Sequence, residues 1–483
     1  MLALRLHRYN ENIAIMAIWK PRIDGRPGTR AAALLKALGD DIAAGVLAAG
    51  ERLPPQRDLA RALGLSPNTV MRAYSEAVSR GLVTGEVGRG TYVRQPAKSP
   101  ALPTGLKTGS ALERPSAGGP IDFSLNLPFA GEAAEVLRGT LGEMAKEGGL
   151  ASLLDHQDPQ ARGRHENAGA QWIRRFGPNA SGDTVVVSNG AQQGIFAALL
   201  ALLRPGDTML AEALTYAPLK SIARHLGVKV KAVAIDGEGL IPEALEAACA
   251  TTKAKVLYLT PTLHTPTTAI MGEERRRKIA ELAEKLDLLI VEDDVFGFLP
   301  EHRPPPISVH AGARTIFVTS LSKSVAPGLR IGYVHAPEAY VQAIRSAVAL
   351  SSWMPPPLMA ELASRWIEDG TVARLGERQR EHAARRQAMA REILAGHEYQ
   401  ADPHGMHLWL PLPEAWSDEA FAAAAKEEGV LVQTARIFAA GSRTPDAVRL
   451  CVSHEAEDER VASGLRIVAK LLKREGSNEE LVP

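Results

Sequence analysis

The chain has 483 residues, with 56 Lys/Arg against 55 Asp/Glu, 45% hydrophobic and 23% charged side chains. That is too long for one ordinary domain, supplies ample apolar material for buried cores, and excludes a collagen-like, disordered or strongly charged chain. Two cysteines, Cys249 and Cys451, exclude a disulfide framework; they point to a reducing cytoplasm and to two small buried hydrophobes.

The near-neutral total hides an asymmetry. Residues 1–94 hold fourteen Lys/Arg against eight Asp/Glu, so the remainder carries a deficit of five. A basic head on a slightly acidic body points to a nucleic-acid module joined to something else. Arg5, His7, Arg8, Asn10, Glu11 and Asn12 interrupt the apolar start, which predicts neither a signal peptide nor a membrane span. Met16 is an alternative start.

From Arg30 to Leu47 apolar residues recur at helical spacing, and Gly50 is the expected stop. Gln56–Leu63 reads as a second helix ended by Gly64, and Ser66 to Arg80 as a third, with Ser66 as N-cap, Pro67 in its first turn and Gly81 as its stop. Two helices joined by Gly64-Leu65 predict a helix-turn-helix, and Leu82 to Val93, folded around Gly88-Arg-Gly90, predicts a two-stranded wing. A helical hairpin in any α protein would share the first of these signals.

The runs Arg52-Leu-Pro-Pro, Asn68-Thr-Val, Ala73-Tyr and Gly88-Arg-Gly-Thr-Tyr-Val resemble the winged helix-turn-helix of the GntR family across 28–94. The resemblance implies that the helix opening at Ser66 enters the major groove of an operator in double-stranded DNA. Arg57, Ser66, Asn68, Thr69 and Arg72 would then contact phosphates or base edges, with Arg89 reaching from the wing. Pro67 stands where many family members have arginine, so one contact is expected to be absent.

Residues 95–120 turn to Pro, Gly, Ser, Ala and Lys without an apolar period, which predicts a flexible linker spanning about 25 to 30 Å if coil-like. Beyond it, β-type runs alternate with helical patterns, the sign of a mostly parallel sheet covered by helices. Predicted strands are 185–187, 208–211, 229–234, 256–259, 288–291 and 315–319, with a helix over 195–203.

Thr319-Ser-Leu-Ser-Lys-Ser-Val-Ala-Pro-Gly-Leu-Arg-Ile-Gly-Tyr333 follows the last of these strands. It joins the Lys323 amine to small hydroxyls and to Arg330, a layout suited to a phosphorylated aldehyde held as a Schiff base. Leu288 to Asp294 ends an apolar strand on acids, which are costly to bury unless they serve a cation. His404 and His407 lack a third ligand spaced with them, so no metal is expected.

The Lys323 stretch resembles the Schiff-base motif of fold-type I aminotransferases, whose cofactor is pyridoxal 5′-phosphate. The resemblance implies that Lys323 is the imine lysine and that Ser320, Ser322 and Arg330 hold the phosphate together with Ala191 and Gln192. Asp293 would pair with the pyridine nitrogen, Tyr216 would stack on the ring, and Arg449 would grip a substrate or effector carboxylate. A core tyrosine or a routine strand-to-helix turn would look the same at 216 and 191–192. Thr265 replaces the asparagine of the family's Asn-Pro-Thr-Gly run, Phe296 replaces a tyrosine, and His156-Gln-Asp-Pro159 replaces a tyrosine-containing run. Fewer donors on the cofactor's ring oxygen imply slow catalysis.

The expected fold class is therefore α/β, with a winged helix-turn-helix (1–94), a linker (95–120) and an aminotransferase-like domain binding pyridoxal 5′-phosphate (121–483). This arrangement resembles the MocR group of bacterial regulators. It implies a cytoplasmic transcriptional regulator that senses an amino acid or other amine through Lys323 and binds DNA as a head-to-tail homodimer. A working aminotransferase with an accessory DNA-binding domain is the alternative.

Overall fold

The structure is a computed structural model that describes residues 19–21, 23, 29–48, 50–79, 82–86, 90–93, 119–155 and 159–474. The chain divides into two compact units, Met1–Lys107 and Thr108–Pro483. Apart from Gly119 and Pro120, the expected linker lies outside the described residues, as do Arg89 and His156.

In the first unit, α1 (Arg30–Ala43) is capped by Thr29, whose hydroxyl accepts from the Ala32 N–H at 3.3 Å. It stops four residues short of the expected Leu47. Gly45 takes φ +72°, and Leu47 reaches the core from the turn that follows, so the apolar spacing outlasts the helix. α2 (Gln56–Leu63) ends at Gly64 in the left-handed conformation, and α3 (Pro67–Ser79) starts where the Ser66 hydroxyl accepts from the Thr69 N–H at 3.2 Å. Leu34, Leu38, Leu59, Val70, Ala73 and Tyr74 pack between the three helices. The wing strands β1 (Val83–Glu86) and β2 (Gly90–Val93) are antiparallel. β2 is also tied to the segment before α2, through Gly50 N–H to Val93 O at 3.0 Å and Leu53 N–H to Thr91 O at 2.8 Å.

The second unit is built on a seven-stranded sheet. Its strands are β3 (Val185–Ser188), β4 (Thr208–Glu212), β5 (Lys229–Val233), β6 (Ala254–Leu259), β7 (Leu289–Asp293), β8 (Thr315–Ser320) and β9 (Gly332–His335), in the order β3-β9-β8-β7-β6-β4-β5. Six run parallel, whereas β9 lies antiparallel between β8 and β3. Val185, Val187, Phe317 and Tyr333 face one helical layer, and Val186, Ile316, Val318 and Val334 face the other, the alternation of a sheet buried on both sides. The helix expected over 195–203 covers Ala191–Leu202 instead. Gly194 does not delay its start. A Cβ there would come 2.8 Å from Val334, so the glycine serves close packing.

A smaller antiparallel sheet joins Gln400–Ala401, His407–Pro411, Ala447–Cys451 and Gln433–Thr434. The segment from Ile121 threads beside it, with Phe123 N–H on Leu431 O and Cys451 N–H on Phe123 O, each at 2.8 Å. This threading carries Asn126 towards Lys323. Among the described residues no helix is long and apolar enough to cross a membrane.

Candidate functional site

The parallel strands end on a common edge, and the loops leaving that edge converge. β8 ends at Ser320, which lies opposite Gly332, and Gly332 lies opposite Ser188 on β3. A Cβ on Gly332 would stand 2.6 Å from the Gly190 carbonyl carbon, so glycine is what lets the two turns touch. Arg330 adopts φ +51° and ψ +38°, and its Nη2 donates to the Asn189 carbonyl at 2.9 Å while the guanidinium lies over Gly190. The helix opening at Ala191 and Gln192 starts at that spot with unpaired first-turn N–H groups. The Ser322 N–H reaches the Ser320 hydroxyl at 3.4 Å. Ala191, Gln192, Ser320, Ser322 and Arg330 therefore lie on neighbouring turns at one edge of the sheet, with N–H, hydroxyl and guanidinium groups of the kind that hold an anion.

The acids closing β7 sort by partner. Glu292 accepts from the Ile307 and Ser308 N–H groups at 2.9 Å each. Asp294 receives both arms of Arg303, at 2.9 and 3.1 Å. Asp293 accepts from the Tyr258 hydroxyl, which donates to its Oδ2 at 2.7 Å, and lies beside the Val295 backbone, while its Oδ1 is buried without a hydrogen bond. Burial pushes the Asp293 carboxyl up to about 6, against the pull of the Tyr258 hydrogen bond. A second donor is what this carboxylate lacks, and a cationic N–H would suit it.

Lys323 is half-buried, with Nζ donating to the Asn126 carbonyl and lying 5.6 Å from the centre of the Phe296 ring. Burial lowers its pKa to about 8, and the Arg449 charge pushes the same way. More of the amine is consequently neutral and nucleophilic near neutral pH than for an ordinary lysine. Arg449 is buried, donates to the Ser124 carbonyl at 2.8 Å and lies over Phe438 at 4.9 Å. Its Nε has no partner, and no carboxylate among the described residues pairs with it. Tyr216 donates to Gln192 Oε1 at 3.2 Å. Thr265 is buried in a turn that His264 holds, through Thr267 Oγ1 at 2.8 Å and the Leu214 carbonyl at 2.9 Å.

Sequence reasoning missed four residues here: Tyr258, Asn126, His407 and Arg303. His407, considered there only as a metal ligand, is instead a buried neighbour of Phe296, with ring centres 5.7 Å apart. Among the described residues no group of three His, Cys, Asp or Glu could hold a metal ion.

In the first unit, Arg57, Ser66, Asn68 and Arg72 are exposed and Thr69 is half-buried. Asn68 and Arg72 are one turn apart on α3, and neither Arg57 nor Arg72 has a carboxylate partner among the described residues.

The model of the bacterial regulatory proteins of the gntR family matches residues 30–93, and that of aminotransferase class I and II matches 153–465. The HTH-type transcriptional regulator YdeF of Bacillus subtilis is 33% identical over 94% of this chain and 96% of its own length. The chain belongs to the GntR-type regulators with an aminotransferase domain. The HTH-type transcriptional regulator TauR of Rhodobacter capsulatus is 31% identical, covering 86% of this chain and 90% of its own. Among solved structures, the multiple substrate aminotransferase of Thermococcus profundus superposes with a TM-score of 0.68 at 22% identity, over 79% of this chain and 96% of that one. It shares the fold of the second unit. The cofactor of this regulator's aminotransferase domain is pyridoxal 5′-phosphate. The residues present fit it. Asp293 Oδ1 waits for a donor, and Gly190, Arg330 and the helix opening at Ala191 leave room and N–H groups for a phosphate.

Proposed function

We propose that this regulator, a member of the MocR group acting in the cytoplasm, senses an amino acid or other amine at Lys323 and transmits its presence to operator binding. The observation that carries the reading is the unpaired Asp293 Oδ1 on the same sheet edge as Lys323, in a chain that also carries a GntR-type head. Pyridoxal 5′-phosphate, when bound, supplies an aldehyde carbon that amines attack and a ring that withdraws electrons. Ala191, Gln192, Ser320, Ser322 and Arg330 would hold the phosphate, Asp293 would pair with the ring nitrogen, and Tyr216, Thr265 and Phe296 would lie around the ring. Lys323 Nζ would be the amine that binds the aldehyde and competes with an effector, and Arg449 would supply a bidentate grip for an effector carboxylate.

DNA binding is assigned to Arg57, Ser66, Asn68, Thr69 and Arg72, with Arg89 on the wing. Arg57→Ala is expected to weaken binding to all sequences and to reduce the salt slope by about one, whereas Asn68→Ala alters which sequence is preferred. Unchanged affinity and slope in both variants would remove the head from the function. A head-to-tail homodimer would present two heads to paired half-sites.

A working aminotransferase remains a second reading, because Lys323, Asp293 and Arg449 are all present. Steady-state assay with amino donors and 2-oxo acids separates the two. The regulator reading expects a changed cofactor spectrum and little product, and turnover at about ten per second, an ordinary enzyme rate, would overturn it.

A further inference from the structure

We propose that His407 is a positioning residue that donates a hydrogen bond to the cofactor's phenolic ring oxygen, the task Phe296 has no atom to perform. The inference rests on the cofactor standing at Lys323. Its argument starts from the tautomer. His407 is fully buried, and its Nδ1 lies 3.2 Å from the Asn126 side-chain nitrogen, which can only donate. As the Asn126 amide is oriented, the ring proton sits on Nε2. That atom is buried and completes no hydrogen bond, although the His407 ring lies beside the His264 backbone. A buried donor without an acceptor is costly, so a bound group that supplies one is favoured there.

The cofactor's covalent structure says which of its atoms that is. The phenolic oxygen is on the ring carbon beside the one bearing the aldehyde, and the phosphate arm is on the carbon at the aldehyde's other side. With the aldehyde at Lys323 and the phosphate at Arg330 and Gly190, the phenolic oxygen must lie near Lys323 and away from that cradle. His407 and Phe296 are neighbours at Lys323, their ring centres 5.7 Å apart. Neither belongs to the phosphate cradle. His407 also stays neutral: burial and the nearby Arg449 and Lys323 charges hold its pKa down at about 3. It is thus a donor that transfers no proton. Asn126 fixes the ring by its bond to Nδ1 and, through its backbone carbonyl, takes the Lys323 amine.

The test is a pH titration of the visible absorbance of the cofactor-loaded protein. A donor to the phenolic oxygen stabilises its anionic form and lowers the pKa of the band. His407→Phe is expected to raise that pKa by about one to two units, and adding Phe296→Tyr to it restores the wild-type value, since the tyrosine hydroxyl replaces the lost donor from the neighbouring ring. If His407→Phe loads no cofactor, Phe296→Tyr alone decides. With His407 already donating, the added hydroxyl moves the pKa by much less than a unit, whereas a fall of one to two units would mean that the oxygen had no donor. A His407→Phe titration unchanged from wild type overturns the assignment. So does one altered only after an amino acid is added, because that outcome places His407 on the effector. Absence of any visible band in the wild type would instead defeat the cofactor reading itself.

Discussion

Lys323→Ala abolishes covalent capture of pyridoxal 5′-phosphate while leaving reversible binding. The cradle of Arg330, Gly190, Ser320 and Ser322 and the Asp293 carboxylate do not depend on the lysine for their positions, since Arg330 is held by the Asn189 carbonyl and Asp293 by Tyr258. Borohydride reduction and peptide mapping should find the pyridoxyl group on Lys323 in the wild type and on no residue in the variant. A pyridoxyl group on another lysine contradicts the account. The cofactor-free protein carries a second signature. Burial depresses the Lys323 pKa from 10.5 to about 8, so the folded state binds fewer protons than the unfolded one between those values. The penalty on stability is full below pH 8 and is relieved as pH rises towards 10.5. Chemical unfolding of wild type and Lys323→Met at about pH 7 and about pH 10 should show the variant's stability advantage shrinking at the higher pH. An advantage that grows would reverse the sign.

Arg303→Ala is expected to destabilise the second unit by about 3–5 kcal/mol, because it leaves a buried carboxylate without its cation. The Asp294 side chain is 0% exposed and that of Arg303 is 14% exposed, and the two oxygens of Asp294 are met by the two arms of that one arginine. The pair fits only because position 297 has no side chain: a Cβ there would occupy the space of both Asp294 Oδ2 and Arg303 Nη1. Loss of Arg303 also reaches the site. The Asp294 charge already pushes the Asp293 carboxyl up, and without its counter-ion it would push harder, weakening the anion that the cofactor's ring nitrogen needs. Urea unfolding of Arg303→Ala, and of Arg303→Ala with Asp294→Asn, checks this. The second change should recover much of the loss, since a neutral amide has no buried charge to strand. No recovery would mean that the cost comes instead from Arg303's contacts with the Gly297 carbonyl and the Phe176 ring.

What the sequence disclosed follows from where its signals lie. Lys323 and Asp293 sit just past or at the ends of strands whose apolar runs are unmistakable, so their places could be read from spacing, whereas Arg330 and the roles of all three come from the family resemblance. α2 and α3 were legible because Gly64 and Ser66 mark a stop and a start within two residues. α1 was overrun because Leu47 is buried and continues the apolar period after the chain has turned at Gly45. β9 gave no separate signal, being four residues that continue the Lys323 stretch and owe their strand form to pairing on both sides. Tyr258 reads as one more apolar-strand aromatic, and only its placement across from β7 puts its hydroxyl on Asp293. Asn126 and His407 are 281 positions apart. No local pattern joins them; the threading of the 121–126 segment beside the small sheet does.

The account's central claim is that amine chemistry at Lys323 governs DNA binding, and one measurement addresses it most directly. A DNA fragment selected by the protein itself from a random pool is titrated with wild type and Lys323→Ala, each loaded with cofactor, in the absence and presence of amino acids and simple amines. For an amine that alters the wild-type cofactor spectrum, the account predicts a shift in the wild-type DNA affinity and none in that of Lys323→Ala. Equal shifts in both proteins, or a spectral change in the wild type with no change in its DNA affinity for any amine, would contradict it.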